Sequence, residues 1–123
     1  MDNFSDEINI NVEEAITLLQ AAKEYLGTDQ FRAASSHASD SALHTARALL
    51  LDEDIEPAKQ GDVITLLQEI FVNGRRLTKE QGANLNWLFA MRDAEKRVTS
   101  EEAHRAVEIA GSFFEAAKVI LEG

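Results

Sequence analysis

The sequence contains no cysteine and only one proline among its 123 residues. The lack of cysteine excludes disulfide frameworks, thiol catalysis and thiolate zinc sites, and it fits a reducing compartment. No uninterrupted apolar run approaches the roughly 20 residues needed to cross a bilayer. The amino-terminal residues lack both the basic start and the apolar centre of a signal peptide. We therefore expect a cytoplasmic protein that does not engage a membrane.

Basic residues are also scarce, because 12 Lys and Arg stand against 22 Asp and Glu and give a formal charge of −10. This balance repels DNA and anionic membranes unless the cations cluster. Cations also favour the last turn of a helix, so clusters at helix ends are as readily explained by solvation as by a binding pocket. Two clusters flank predicted turns: Arg75, Arg76 and Lys79, and then Arg92, Lys96, Arg97 and Arg105.

Apolar residues recur at three- and four-residue spacing along the chain, which is typical of helices, and no strand pattern competes with them. The sequence predicts one domain over residues 1–123, an all-α antiparallel up-and-down bundle of four or five helices. The third helix should stop at Asn73-Gly74, with the glycine in a left-handed conformation. The predicted caps are Asn11, Thr28 or Asp29, and the capping boxes Thr78–Gln81 and Thr99–Glu102.

The fourth helix carries an apolar stripe that runs into an arginine. Leu85 and Arg92 are seven residues apart and therefore lie about 20° apart around the helix axis. The guanidinium should enter a helix–helix seam, where it needs a carboxylate such as Glu69 or Glu108, or a nucleotide. Glu95 and Asp93 lie close enough in sequence to modulate such a site.

A second stripe lies roughly opposite on the same predicted helix. A helix that is apolar on two sides is either central in its own bundle or shared with another subunit. We predict a homodimer whose interface includes Trp87, Met91, Ala94 and Val98.

The second helix carries a polar arc formed by His37, Asp40, Ser41 and His44. These residue types could suggest a metal site or a Ser/His/Asp arrangement. The arc points away from the apolar side of the helix, however, so we interpret it as a solvated polar face. The sequence predicts neither a metal site nor a cofactor.

Four segments resemble the HEPN domain family in their order and spacing, over about residues 29–121. The resemblance implies a small dimeric helical bundle. In this family such bundles are often encoded beside a minimal nucleotidyltransferase and in many branches act as RNase toxins. The segments are Leu43-His-Thr-Ala-Arg-Ala-Leu-Leu-Leu51, Pro57-Ala-Lys-Gln-Gly-Asp-Val-Ile64, Phe71-Val-Asn-Gly74 and Leu88-Phe-Ala-Met-Arg-Asp-Ala-Glu95.

The catalytic motif of the family is not reproduced at the expected place. Active members have an arginine followed after four to six residues by a histidine, whereas Arg92 is followed there by Arg97, Val98 and Thr99. Arginine cannot exchange a proton near neutral pH as histidine does. Arg32 with His37 and Arg97 with His104 match the spacing formally, and we keep Arg97 and His104 as the fallback catalytic pair.

Three functions follow from these residues. The first is a non-catalytic HEPN-like binding module within a toxin–antitoxin system. It would engage a nucleotidyltransferase-type partner, or a nucleotide, through Arg92, Lys96 and Arg97, with RNA as a weaker alternative ligand. The second is a metal-independent endoribonuclease toxin that uses His104 as acid or base. The third is a purely structural bundle in which Arg92 forms an internal salt bridge.

Overall fold

The computed structural model describes residues 4–93 and 97–123, without the side chain of Asp93. These ranges form five α-helices and no strand, which confirms the predicted all-α bundle. None of the described helices combines the length and the apolar character needed to cross a membrane. The helices are α1 (Ser5–Gly27), α2 (Phe31–Asp52), α3 (Gln60–Leu67), α4 (Lys79–Asp93) and α5 (Ser100–Glu122), and a π-helical segment (Gln68–Val72) continues α3.

Helix α2 is the centre of the bundle, with its most extensive contacts to α1 and α5. Its alanines allow neighbouring helices to approach closely, and Ala34, Ala38 and Ala42 are completely buried. The burial extends further around α2 than its apolar residues alone predict, because Ser39 and Ser41 are fully buried as well. Helix α2 therefore supplies side chains to several inter-helix seams at once.

The two predicted capping boxes are confirmed. Thr78 Oγ1 accepts a hydrogen bond from the Gln81 amide at 3.0 Å, and Gln81 Oε1 accepts one from the Thr78 amide at 2.7 Å. Thr99 and Glu102 make the same reciprocal pair, at 3.1 and 3.0 Å. These bonds satisfy amides that the first turn of a helix leaves without a partner, and they fix where α4 and α5 begin.

The other predicted starts for α1 and α2 are wrong. Helix α1 already begins at Ser5, and Asn11 lies within it, where its side chain donates to the Glu7 carbonyl at 2.8 Å. Neither Thr28 nor Asp29 caps α2, which follows Gln30 without a side-chain cap. The reason is that the amides of residues 28–30 bond to carbonyls in the last turn of α1, so the connection belongs to the end of the first helix.

The turn after the π-helical segment differs from the prediction in one residue. Arg75, with φ of 63°, has the left-handed conformation that was expected of Gly74. Gly74 is needed for a different reason, since a Cβ built on it would lie 2.2 Å from the Ile70 carbonyl oxygen. The chain thus turns by packing the Gly74 backbone directly against the preceding helical segment.

Candidate functional site

The end of α4 carries Arg92 into a seam with α2, as the seven-residue spacing predicts. Its Nη2 lies 3.0 Å from Asp40 Oδ1, and the two side chains are 29% and 34% exposed. The predicted partners Glu69 and Glu108 are both exposed instead. The carboxylate that faces the guanidinium therefore comes from the polar arc of α2, and that assignment corrects the sequence-based one.

The other terminal nitrogen of Arg92 has a different environment. Nη1 is buried, and it has no hydrogen-bond partner among the residues that the structure describes. A buried donor without a partner costs about 1–3 kcal/mol, because its bonds to water are lost without replacement. The planar guanidinium offers donors in a fork that suits phosphate and carboxylate groups. Arg92 thus has capacity for an anion beyond its ion pair with Asp40.

The polar arc is not a solvated face, which corrects the interpretation from sequence. Ser41 is fully buried and donates through Oγ to the Ala15 carbonyl of α1 at 2.7 Å. His44 Nδ1 lies 2.8 Å from Asn11 Oδ1, also on α1. Apolar periodicity places only apolar positions in the interior, but small polar side chains are readily buried where a neighbouring helix supplies hydrogen-bond partners.

The environment of His44 favours its neutral form. Burial lowers the pKa of its imidazole, and the nearby Arg47 charge lowers it further, while Glu14 and Asp40 act in the opposite direction. A neutral ring that donates from Nδ1 to the Asn11 side chain ties α1 to α2. Because the folded-state pKa lies below the unfolded one, this contribution to stability is complete above the unfolded pKa and is lost as the pH falls.

His37 lies one turn before Asp40 and has its own contacts. Its Nδ1 is 2.8 Å from the Ala33 carbonyl oxygen, and its ring is 4.9 Å from that of Tyr25, centroid to centroid. Within the described ranges, no group of three or more His, Asp or Glu residues is placed to hold a metal ion. The ring contact with Tyr25 is a further contact between α2 and α1.

The fallback pair flanks the start of α5. His104 lies in the first turns of that helix, is exposed, and has Nδ1 2.8 Å from the Ser100 carbonyl oxygen. Arg97 is exposed in the connection before α5, and Lys96 lies outside the described residues. The Nδ1 bond leaves Nε2 of His104 as the nitrogen able to exchange a proton with a ligand.

In the first basic cluster, the guanidinium of Arg76 is engaged in contacts within the chain. Arg76 forms an ion pair with Glu53, and its guanidinium carbon lies 4.7 Å above the Phe71 ring. Arg75 adopts the left-handed turn conformation beside it. The ion pair of Arg76 with Glu53 attaches the turn before α4 to the end of α2.

Comparison with known proteins identifies the family. The sequence model of the HEPN domain matches residues 9–120 of the chain. The chain belongs to the HEPN domain family. It is also similar to a protein of Methanocaldococcus jannaschii named "Putative toxin MJ0605", with 33% identity over 93 residues that cover 69% of this chain and 68% of the relative. The resemblance carried by the four segments is thereby confirmed.

The residues predicted to form a dimer interface of this HEPN domain differ in their burial and in their location relative to α4. Met91 is buried within its own chain, and Trp87 is half-buried, with the Arg105 guanidinium carbon 4.1 Å above its ring. Ala94 lies outside the described residues. Val98 follows the end of α4 rather than continuing its stripe, and it packs partly buried against the core. The dimer itself stays a prediction.

Sequence reasoning missed the role of Asp40 at this site. The signal was present, since an acid on α2 was already grouped with two histidines, but its apparent exposure came from counting apolar positions alone. The pairing with Arg92 joins residues 52 positions apart, and only the packing of α4 on α2 brings them together. The candidate site is thus a seam between helices rather than a contiguous motif.

Proposed function

We propose that this HEPN domain is a non-catalytic binding module of a toxin–antitoxin-type pair. It acts as a homodimer, and it engages a nucleotidyltransferase-type partner protein or a nucleotide through Arg92, assisted by Lys96 and Arg97. The observation that carries the proposal is the half-satisfied guanidinium of Arg92, with Nη2 on Asp40 and Nη1 buried without a partner in the described residues. A phosphate or carboxylate would contact the exposed part of the guanidinium first, and it would satisfy the buried Nη1 donor once the seam opens locally.

The non-catalytic part of the proposal is supported by the residues around Arg92. At the distances where active relatives carry a histidine, this chain has Arg97, Val98 and Thr99. The histidines on α2, His37 and His44, are bound to Ala33 and Asn11, respectively. The Arg92–Asp40 pair is only partly exposed and offers a guanidinium to an anion. Histidine is the side chain that exchanges a proton near neutral pH, and neither member of this pair is a histidine.

Replacing Arg92 by glutamine should abolish nucleotide binding while the protein stays folded. We expect millimolar ATP or GTP to raise the melting temperature of the wild-type protein in a saturable way. At ten times Kd the stabilisation is about 1.4 kcal/mol, or roughly 5 °C for a domain of this size. The same titration of the Arg92→Gln variant should give no shift, and circular dichroism should show unchanged helicity.

Arg75→Gln is the matched control, since it removes the same charge from a turn outside the site and should leave the nucleotide shift intact. An equal shift in the Arg92→Gln protein would contradict the nucleotide form of the proposal. The partner form is tested with the same variants by co-expression with a tagged minimal nucleotidyltransferase from the same genome. Complex formation should survive Arg75→Gln and fail with Arg92→Gln.

A second candidate function is a metal-independent endoribonuclease, which is favoured by the toxin name of the relative and by the exposed imidazole of His104. The Ser100 carbonyl would hold the proton on Nδ1, so that Nε2 takes the proton of the attacking hydroxyl and returns it to the leaving oxygen. Arg97 would stabilise the negative charge on the nonbridging phosphate oxygens. Under this function His104→Ala should reduce cleavage of a short RNA by at least about 100-fold. Cleavage that is unchanged in the variant would eliminate His104 as the catalyst.

A further inference from the structure

A groove lies between the first half of α1 and the last turns of α5, and we call it the α1–α5 groove. Its cavity volume is about 400 Å³. That value falls within the range of about 300–1,000 Å³ that is typical of ligand-binding clefts. The apolar residues that line it are Ile8, Val12, Ile16, Phe114 and Leu121.

The groove is open because the two ends of α1 pack differently. Helix α1 is buried in the core only along its middle and second half, through Ala15, Leu19 and Ala22. In the first half, Ile8 and Val12 are only partly buried, and Ile16 is 39% exposed. These three residues follow one another at four-residue spacing and therefore form a continuous apolar stripe on one face of the helix. A continuous stripe of this kind, left open to water, is typical of an interaction site.

The charges around the groove are mainly negative. Asp52 and Glu122 line it together with one cation, Lys118. Lys118 Nζ lies 4.0 Å from Oε2 of Glu115, one turn earlier on α5, so this carboxylate offsets its charge. The whole chain has a formal charge of −10. An apolar floor with an acidic border, on a strongly acidic protein, is complementary to a cationic partner and repels RNA and anionic lipid.

We propose that the α1–α5 groove binds a basic amphipathic helix of a partner protein. The lining residues of α1 extend from Ser5 to Ile16, which at 1.5 Å per residue is a length of roughly 17 Å, or three helical turns. A helix of that length places apolar side chains at i, i+3 or i+4, and i+7 into the groove and directs flanking Lys or Arg side chains to its acidic border.

This inference rests on the proposed function only in that the protein works through a partner protein. Neither Arg92 nor Asp40 lines the groove, so the two binding regions can be tested separately. Loss of nucleotide binding in Arg92→Gln has no bearing on the groove, and peptide binding in the groove should be unaffected by Arg92→Gln.

The test uses two synthetic 14-residue helical peptides that share one leucine stripe and differ in their polar face, which is lysine in one and glutamate in the other. We expect the wild-type protein to bind the lysine peptide at least tenfold more tightly than the glutamate peptide, as measured by fluorescence anisotropy at low salt. Ile16→Asn should weaken binding of the lysine peptide about tenfold, because it removes apolar surface from the groove. Glu122→Lys should weaken it by repulsion.

Two control variants separate the groove from the general acidity of the surface. Ile10 is 59% exposed on the same helix and does not line the groove, so Ile10→Asn should leave binding unchanged. Glu101→Lys makes the same charge change as Glu122→Lys, but at the opposite end of α5. It should therefore leave binding of the lysine peptide unchanged. Equal losses in the groove variants and in their controls would overturn the proposal, as would equal binding of the two peptides. A wild-type dimer that Ile16→Asn converts to a monomer would assign the groove to a second copy and would also overturn it.

Discussion

Replacing Gly74 by alanine should lower the free energy of unfolding by roughly 2–3 kcal/mol. The added Cβ would lie 2.2 Å from the carbonyl oxygen of Ile70. Because the clashing atom belongs to the backbone, no rotamer change can relieve the contact, and the turn before α4 has to move. Chemical denaturation followed by circular dichroism measures this loss, which should appear as a lower midpoint at an unchanged slope.

Gly111→Ala provides a control for the same substitution in open space. Gly111 lies within α5, and a Cβ built on it meets nothing within 4 Å. Because glycine inside a helix is less favourable than alanine, this variant should be more stable than the wild type by roughly 0.5–1 kcal/mol. If Gly74→Ala proved as stable as the wild type, the close approach at Ile70 would be refuted.

Replacing Leu49 by alanine should cost about 2–5 kcal/mol, the largest effect that we expect of a single truncation in this bundle. Leu49 is completely buried on α2, the helix that contacts both α1 and α5. The truncation removes apolar contacts and leaves a cavity between helices that cannot fully collapse. The midpoint of thermal unfolding should fall. If the midpoint is the same at several protein concentrations, the loss of stability comes from packing within the chain and not from association.

The control for this truncation is Ile10→Ala on α1. Ile10 is 59% exposed, so its truncation should change the stability by no more than about 0.5 kcal/mol. Similar losses at both positions would show that the burial of α2 does not dominate the stability of the bundle.

The predictions on stability and on binding concern different parts of the molecule. Gly74 and Leu49 maintain the scaffold, whereas Arg92 is only partly paired, by Asp40, in a seam between helices. A partly exposed ion pair contributes little stability by itself, about 0–1 kcal/mol. Arg92→Gln should therefore affect ligand binding much more than folding. A large loss of melting temperature in that variant would instead support the structural interpretation of the Arg92–Asp40 pair.

The candidate site was only partly predictable from the sequence. The inward direction of Arg92 followed from its place on the Leu85 stripe, because helical geometry fixes the angle between residues seven positions apart. The identity of its partner did not follow, since Asp40 and the exposed Glu69 and Glu108 are equally plausible by charge. Periodicity assigns a residue to one side of a helix, but it does not say which neighbouring helix lies on that side.

Local patterns along the chain were sufficient to predict the helical class, the family and the starts of α4 and α5. Apolar spacing, the four family-like segments and the capping boxes each involve only neighbouring residues. They can therefore be recognised without knowing how the rest of the chain packs. Three features required the packed helices: the central place of α2, the position of its polar arc against α1 and α4, and the groove that the first half of α1 leaves beside α5. Those features depend on contacts between distant residues, such as Ser41 with Ala15 and Arg92 with Asp40, which no local pattern specifies.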